Sequence, residues 1–407
     1  MKSKHSLILY LFTFLTFSLF ATEKNDYYNI YIDADYSNHY ESSFSIEKGL
    51  NVAFKNSNFK ILNKKIKIIR KDHRGNSARC ERHIKQYLND PNALAMVSGI
   101  HSPPLLASRK MINENNVLFL VPWAAAGPIT RYPSEKNSIF RLSVDDSKAG
   151  VVIVNFAVKQ KKYKKPFLLL ENTGWGKSNK KTMSATLEKL GISNYIISWY
   201  DWGLKSSGAK SIISNALKAN CDVIILVGNA IEGKVICNAA ASLPDNKRLP
   251  MLSHWGIIGG NFHKLVLHEN REKIDLHFIQ TKFSFMNNNL NSFAKNVFSS
   301  AQNLYPQIKQ KKDILAPTGF IHAHDLGLLL LEAGNQIESK GKNIQSIRIA
   351  MKESLESLKK PVQGLIKTYK TPFSIYSDNN KDAHEALGID DFKMAKFGKS
   401  DEILLVP

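Results

Sequence analysis

Residues 93–121 read ALAMVSGIHSPPLLASRKMINENNVLFLV, and this stretch holds the pattern that decides the fold. Residues 93–98 and 117–121 are short, strongly apolar runs that predict two strands. Residues 102–113 between them predict a helix, and the two prolines near its start suit a first helical turn. A strand, a helix and a second strand of these lengths are typical of a parallel sheet with helices packed on its faces.

The same alternation extends from this stretch toward the N-terminus. Residues 28–33 and 66–70 predict strands, and residues 45–55 and 77–88 predict helices. Together with the strands and the helix of residues 93–121, these elements nearly complete one open α/β domain.

Toward the C-terminus the alternation starts again at Asp145 with a predicted helix that ends at Lys159. Strands and helices then follow one another at 167–170, 178–190, 195–199, 209–219, 223–227 and 231–243. The tail adds a predicted strand near 277–280 and predicted helices at 291–305, 319–336 and 345–357. The sequence therefore predicts two similar, doubly wound lobes in series.

Neither lobe can accommodate the whole tail, so we expect the chain to cross back and to share its tail between the lobes. The predicted fold class is α/β, with two doubly wound, Rossmann-like lobes joined by a hinge of several crossovers. We expect one lobe to comprise residues 22–143 plus about 275–345, and the other to comprise residues 144–274 plus about 346–407.

The first 21 residues have the layout of a secretory signal peptide. Lys2 and Lys4 precede an apolar stretch at 7–20, and polar residues follow Ala21. The stretch is shorter than the roughly 20 apolar residues that a membrane-spanning helix needs. We therefore expect export to the periplasm and cleavage near Ala21. Because Leu19 is not the small residue usual at its position, an uncleaved N-terminal anchor is the alternative.

The chain is strongly basic, with a formal net charge of +21. Such a balance occurs in proteins that bind nucleic acids or anionic membranes. Here the lysines fall in short, scattered runs such as 64–65, 159–165 and 309–312, and no basic stripe is interleaved with aromatic residues. We interpret the charge as a solvated surface and expect no nucleic-acid partner.

Three cysteines, Cys80, Cys221 and Cys237, are too few for a disulfide scaffold, and their number is odd. Cys221 opens a predicted strand, whereas Cys237 lies midway along the predicted helix that follows. Two cysteines so placed are too far apart for a bridge, so we expect no structural disulfide.

Several segments in a fixed order carry a resemblance to a known family. They are Gly99-Ile100-His101-Ser102, VLFLVPWAAAGPIT at 117–130, IFRLSVDDSKAG at 139–150, ENTGWGKSN at 171–179, and residues 361–364 before the terminal β-hairpin. On these segments the chain resembles a type I periplasmic solute-binding protein of the branched-chain amino acid receptor group, which serves ABC importers. The resemblance implies two lobes, joined by three crossovers, that close over a small molecule at the carboxyl ends of both sheets.

The resemblance implies ligand-binding residues in the first lobe. Ser102 would offer a hydroxyl and helix N-terminal N–H groups to a carboxylate, although the prolines that follow it remove two N–H donors and a role as a helix N-cap alone is equally open. Trp123, Ala124 and Ala126 lie in a loop whose small residues let the backbone approach a ligand, with simple packing as the alternative. Tyr36, Asp33 and Asp35, in the loop after the first predicted strand, are further candidates as polar partners of the ligand.

In the second lobe the resemblance places Trp175 where the family offers an aromatic ring to the ligand. Asn229, His254 and Trp255 follow predicted strands, and burial in the core is as open an interpretation for His254 and Trp255 as ligand contact. Members of the group commonly carry a hydroxyl near Ala126 and an acidic group near Trp255, and both are absent here. These departures favour a flatter, more apolar or cationic ligand held by aromatic rings.

Other functional classes lack their motifs in this sequence. We find no nucleophile elbow, Walker loop, HExxH or cysteine-pair zinc spacing, so we expect neither an enzyme nor a cofactor or metal. His322-Ala323-His324-Asp325 is the one cluster that suggests a metal, and we expect it to cap a helix or to lie on the surface. Asp145 and Asp146 are expected to be helix caps.

Two functions fit the predicted clamp equally well. A monomer that captures an amino acid or an amino-acid-like molecule can deliver it to an ABC permease. The same closed form can instead dock on a membrane receptor as a ligand-sensing subunit.

Overall fold

The computed structural model describes residues 26–134 and 136–406, and these residues form two large sheets with helices on their faces. The predicted signal peptide lies outside the described residues. The first sheet is built from β1 (Tyr27–Ala34), β2 (Lys60–Ile61), β3 (Lys64–Asp72), β4 (Ala93–Ser98), β5 (Phe119–Val121) and β6 (Ile139–Arg141).

The strands of the first sheet lie in the order β2-β3-β1-β4-β5-β6, and all but β2 are parallel. Every residue of β4 is buried, because helices cover both faces of the sheet at its centre. This burial on both faces explains why the strand is continuously apolar and does not alternate.

The second sheet has the order β15-β14-β11-β10-β9-β7-β8. Five of its strands are parallel, and the two from the end of the chain are antiparallel to their neighbours. The remaining strands of the molecule are β7 (Pro166–Glu171), β8 (Ile196–Tyr200), β9 (Val223–Val227), β10 (Met251–Ser253), β11 (His277–Thr281), β12 (Val362–Gln363), β13 (Thr368–Tyr369), β14 (Phe392–Phe397) and β15 (Ile403–Leu405). Strands β12 and β13 form a separate hairpin.

The helices are α1 (Tyr40–Lys55), α2 (Ser77–Asn89), α3 (Ser102–Glu114), α4 (Asp146–Asn155), α5 (Gly174–Lys189), α6 (Ser206–Lys218), α7 (Ala230–Ala241), α8 (Phe262–Leu265), α9 (His268–Lys273), α10 (Ser292–Leu304), α11 (Pro317–Asn335) and α12 (Ile344–Glu356). Helices α1–α3 and α10–α12 pack on or around the first sheet, and together they form the first lobe. Helices α4–α9 and the second sheet form the second lobe.

The chain passes between the lobes three times. It leaves the first lobe after β6, returns after β11, and leaves again between β13 and β14. This arrangement confirms the predicted α/β class with two lobes and several crossovers.

The tail is divided between the lobes differently from the expected boundaries. Strand β11 belongs to the second sheet, where Leu252 of β10 pairs with His277, whereas the first lobe was expected to resume at about residue 275. Helix α12 packs on α11 and β4, and Arg348 of α12 donates hydrogen bonds to the carbonyls of Tyr87 and Ala93. The second lobe therefore resumes near β14 and not near residue 346, because α12 buries its apolar face against the first sheet.

The cluster at 322–325 is buried in the middle of α11, so the expected capping or surface role is wrong. His322 Nδ1 lies 3.0 Å from the carbonyl oxygen of Pro122. The Asp325 carboxylate accepts hydrogen bonds from the backbone of Leu365 and from the hydroxyl of Tyr369. The cluster thus anchors α11 to the first lobe, which a spacing pattern along one helix does not show.

Two smaller points complete the fold. Cys80, Cys221 and Cys237 are buried and unpaired. Within the part of the chain that the structure describes, no helix has the length and the apolar character needed to cross a membrane.

Candidate functional site

The carboxyl ends of the parallel strands of both sheets face a cleft between the lobes. A cavity of about 130 Å³ lies in this cleft. Its first-lobe wall comes from loops after β1, β3 and β4, and its second-lobe wall comes from loops after β8 and β9. The lining residues are Asp35, Asn38, His39, Arg74, Gly75, His101, Trp202, Asn229, Ile231 and Glu232. A cavity at this edge of two open α/β sheets is the expected place for a ligand.

The first-lobe wall holds a cluster of one carboxylate and two imidazoles. Asp35 follows β1, His39 is the residue immediately before α1, and His101 is the residue immediately before α3. Asp35 Oδ2 lies 3.1 Å from His101 Nε2, and the rings of His39 and His101 are 4.9 Å apart, edge to face. All three residues are buried. We call them the Asp-His-His cluster.

Burial and hydrogen bonding set the charges of this cluster. Burial alone would raise the pKa of Asp35, but hydrogen bonds from His101 and Asn38 hold that pKa well below its usual value. Burial, together with the neighbouring imidazole of His101, lowers the pKa of His39 to about 3. At neutral pH the cluster therefore presents an ionised carboxylate and, at His39, a neutral imidazole.

The second-lobe wall contributes an indole and buried polar groups. The ring of Trp202 lies 5.4 Å from the ring of His101, so the two lobes meet across the cavity. Asn229 donates a hydrogen bond of 3.3 Å to the carboxylate of Glu171, which is buried behind it. Burial raises the pKa of Glu171 to about 7. Glu232 accepts a hydrogen bond from the backbone N–H of Gly203.

Gly75 allows the lobes to approach at this point. Its φ is +73°, a backbone conformation that residues other than glycine rarely adopt. A Cβ atom built on it would lie 3.3 Å from the ring of Trp202, tighter than ordinary contacts. Glycine at this turn therefore lets the indole rest against the first-lobe wall.

Of the residues predicted from sequence, Asn229 and Asp35 line this cavity. Ser102 is buried at the first position of α3, and its hydroxyl accepts a hydrogen bond from the backbone N–H of Ala126. The carbonyls of Ala124 and Ala126 accept hydrogen bonds from Arg141. This loop is thus closely packed, and contact between a ligand and Ser102, Ala124 or Ala126 stays a prediction.

The second lobe contains a second buried cluster of polar and aromatic side chains. Trp175 donates its indole N–H to the carboxylate of Asp146 at 3.1 Å, and Asn179 donates to the same oxygen at 2.7 Å. His254 Nε2 lies 3.3 Å from that oxygen, and its ring meets the ring of Trp175 edge to face. Burial raises the pKa of Asp146. Asp145, by contrast, caps α4 as predicted, by accepting from the N–H of Ser147.

Three further predicted residues lie outside the cavity lining. The ring of Trp123 is buried near Gly319 of α11. Trp255 is buried and its ring lies 5.2 Å from that of His322. The half-buried hydroxyl of Tyr36 donates to Glu47 at 3.3 Å. Their roles in ligand binding also stay predictions.

The sequence analysis missed His39, His101, Arg74, Trp202 and Glu232. A usable signal was present, because each follows a strand whose carboxyl end was predicted to face the cleft. His101 stands in the segment 99–102, directly before Ser102, which was predicted to bind the ligand. The resemblance implied ligand contacts at the positions that the family uses for them. This chain places its polar groups at neighbouring positions.

Comparisons with known proteins agree with this architecture. A sequence model described as "Periplasmic binding protein" matches residues 35–248. No curated protein shows significant sequence similarity to the chain. A type 1 periplasmic binding protein from Bordetella pertussis is 18% identical, with a TM-score of 0.75 over 94% of this chain and 100% of the other.

Two further solved structures share the fold. The leucine-binding protein LivK of Thermotoga maritima is 14% identical, with a TM-score of 0.74 over 93% of this chain and 98% of the other. A solute-binding protein of an ABC transporter from Rhodopseudomonas palustris, solved with benzoate, is 14% identical, with a TM-score of 0.69 over 93% and 95%. Because the family model spans more than half of the 407 residues, this chain belongs to the periplasmic binding protein family.

Proposed function

We propose that this chain is an extracytoplasmic solute-binding protein that captures a small molecule between its two lobes and delivers it to an ABC importer. The observation that carries the proposal is the cavity between the lobes. It is lined by His101 of one lobe and by Trp202 of the other. Closure that adds contacts from both lobes couples binding to a change of shape, which a permease can recognise.

The cavity favours a small solute. Its volume of about 130 Å³ is well below the roughly 300–1,000 Å³ of pockets for drug-sized ligands. We propose an amino acid or an amino-acid-like molecule with an aromatic or cationic group. The indole of Trp202 can stack on either group, and Glu232 and Asp35 supply negative charge.

A binding screen tests this function. The mature protein, kept in EDTA, is titrated with leucine, phenylalanine, benzoate and choline, and the melting temperature is recorded. A solute that binds only the folded protein at 100 times its Kd stabilises it by about 2.7 kcal/mol. We expect at least one compound to raise the melting temperature and to be recovered unchanged by mass spectrometry. Recovery of a chemically altered compound would indicate an enzyme instead.

Export is a separate part of the proposal. We propose that residues 1–21 direct the chain to the periplasm and are removed near Ala21. The mass of the protein recovered from the periplasmic fraction tests this. A mass that includes residues 1–21 would contradict cleavage.

A further inference from the structure

Two histidines occupy helix-capping positions in the cleft without capping anything. His39 and His101 are the residues immediately before α1 and α3, where Ser, Thr, Asp or Asn usually accepts a hydrogen bond from the first turn. Neither side chain makes such a bond. His101 is 7% exposed, and its Nδ1 has no hydrogen-bond partner among the described residues. Helix capping therefore does not account for either side chain.

The geometry of the Asp-His-His cluster is that of a metal-binding group. Asp35, His39 and His101 can each offer one ligand atom, and these atoms all lie within 4.8 Å of one another. In a tetrahedral zinc site, bonds of about 2.0–2.1 Å separate neighbouring ligand atoms by roughly 3.3 Å. The 3.1 Å between Asp35 Oδ2 and His101 Nε2 already fits this spacing.

We propose that Asp35, His39 and His101 bind one divalent transition-metal ion of the zinc type on the first-lobe wall of the cleft. Two imidazoles and a carboxylate are ligands that such ions accept. The inference deepens the proposed function, and it rests on that function only in taking this cleft as the place where a solute binds.

Neighbouring groups hold the cluster in position. Asp35 Oδ1 accepts hydrogen bonds from the backbone and the side chain of Asn38, at 2.9 and 3.1 Å, which orients the carboxylate. The one guanidinium of the lining, that of Arg74, is paired with Asp72 at 3.0 Å. A partner such as Asn38, which holds a ligand from behind, fixes the orientation of that metal ligand.

The proposed ion keeps one coordination position open toward the cavity. Three protein ligands with an open fourth position are typical of zinc sites that bind an exchangeable molecule. Water or a donor atom of a solute would fill that position. The cluster escapes a sequence motif search because Asp35 and His101 are 66 residues apart in the chain.

The test is zinc binding to tag-free protein that has been stripped with EDTA and then freed of it. Isothermal titration with ZnCl₂ is run on the wild type, His39→Gln, His101→Gln and His263→Gln, the last being a matched control on the second lobe. We expect one ion per chain in the wild type and the control. In His39→Gln and His101→Gln we expect affinity at least about 100-fold lower, since even outer partners are worth roughly 10–100-fold. Equal affinity in all four proteins, or no binding to the wild type, overturns the proposal.

A second measurement covers the case in which a variant fails to fold. Crystals of the wild type soaked in ZnCl₂ are measured at the zinc absorption edge. An anomalous peak between Asp35, His39 and His101 supports the site, and a peak elsewhere or none contradicts it. Solute binding is scored separately, both in EDTA and with added ZnCl₂. Solutes that bind while zinc does not defeat only the metal site, whereas zinc binding without binding of any solute in either condition defeats the solute function.

Discussion

The imidazole of His101 in the first lobe and the indole of Trp202 in the second lie 5.4 Å apart across the cleft. The contact joins loops after β4 and β8, which belong to different sheets. Trp202 is nevertheless 44% exposed. The indole therefore covers the cavity while burying little apolar surface in the fold.

Trp202→Ala is expected to weaken solute binding about tenfold or more, because a bound solute would cover the exposed indole, and a tryptophan buried in this way is worth more than about 1 kcal/mol. The melting temperature without solute should change little. Isothermal titration with a compound from the screen measures the affinity, and Trp202→Phe, which keeps a ring, should retain most of it. Unchanged affinity in Trp202→Ala would show that the solute lies elsewhere.

Trp175→Phe tests the structural role of the indole N–H of Trp175. The substitution keeps a ring but removes the indole N–H that donates to buried Asp146. We expect a loss of stability of about 1–3 kcal/mol, because a buried carboxylate loses a donor. Trp199→Phe on β8 is the control, with a smaller expected effect. Chemical unfolding measures stability, and a solute affinity that stays unchanged would fit a stacking ring as well as a purely structural one.

Trp175→Ala then distinguishes the two remaining interpretations. Loss of solute binding in a variant that still folds supports the predicted contact with the ligand. Retained binding shows that Trp175 serves the hydrogen bonds of the second cluster alone.

Glu171→Gln is expected to stabilise the protein increasingly as the pH rises. Burial raises the pKa of Glu171 from 4.5 to about 7, so the folded state holds a proton that the unfolded state releases. The wild type therefore loses stability between about pH 4.5 and pH 7, and the neutral variant does not. The difference in melting temperature between the two proteins, measured from pH 4 to pH 8, checks this. A difference that is independent of pH would contradict the buried ionisation.

Glu385→Ala is expected to destabilise the fold strongly. Arg141 of β6 is fully buried, and its guanidinium donates to Glu385 in the segment between β13 and β14. Removing the carboxylate leaves a buried charge without its partner, at a cost of about 3–5 kcal/mol. The midpoint of urea unfolding should fall, while exposed Glu338→Ala should change stability by less than about 0.5 kcal/mol. Similar midpoints for both variants would show that water or Asp145 compensates the arginine.

Local hydrophobic patterns predicted the buried strands and the helices beside them well. The predicted strand at 223–227 coincides with β9, and the predicted helix at 102–113 ends one residue before α3 does. The tail was predicted less well. Amphipathic helices such as α12 carry an apolar face, but nothing in that face specifies which of two similar sheets it covers.

The residues of the candidate site likewise include some that the sequence predicted and some that it did not. Asn229 was predicted because it lies just after a buried strand, at the edge where open α/β sheets usually bind ligands. His39 and His101 stand at the same kind of position, yet each looks like an ordinary residue before a helix. They form a cluster with Asp35 because β1 and β4 are neighbours in the sheet. This pairing brings Asp35, after β1, close to His101, after β4.

The sequence by itself determined the α/β class and the two lobes, because hydrophobic periodicity is a local property of the chain. Only the tertiary structure decided how the tail is shared, that the cluster at 322–325 is buried, and that Asp35, His39, His101 and Trp202 surround one cavity. The physical reason is that these contacts join residues far apart in sequence, and their positions are set by strand order and by closure of the lobes.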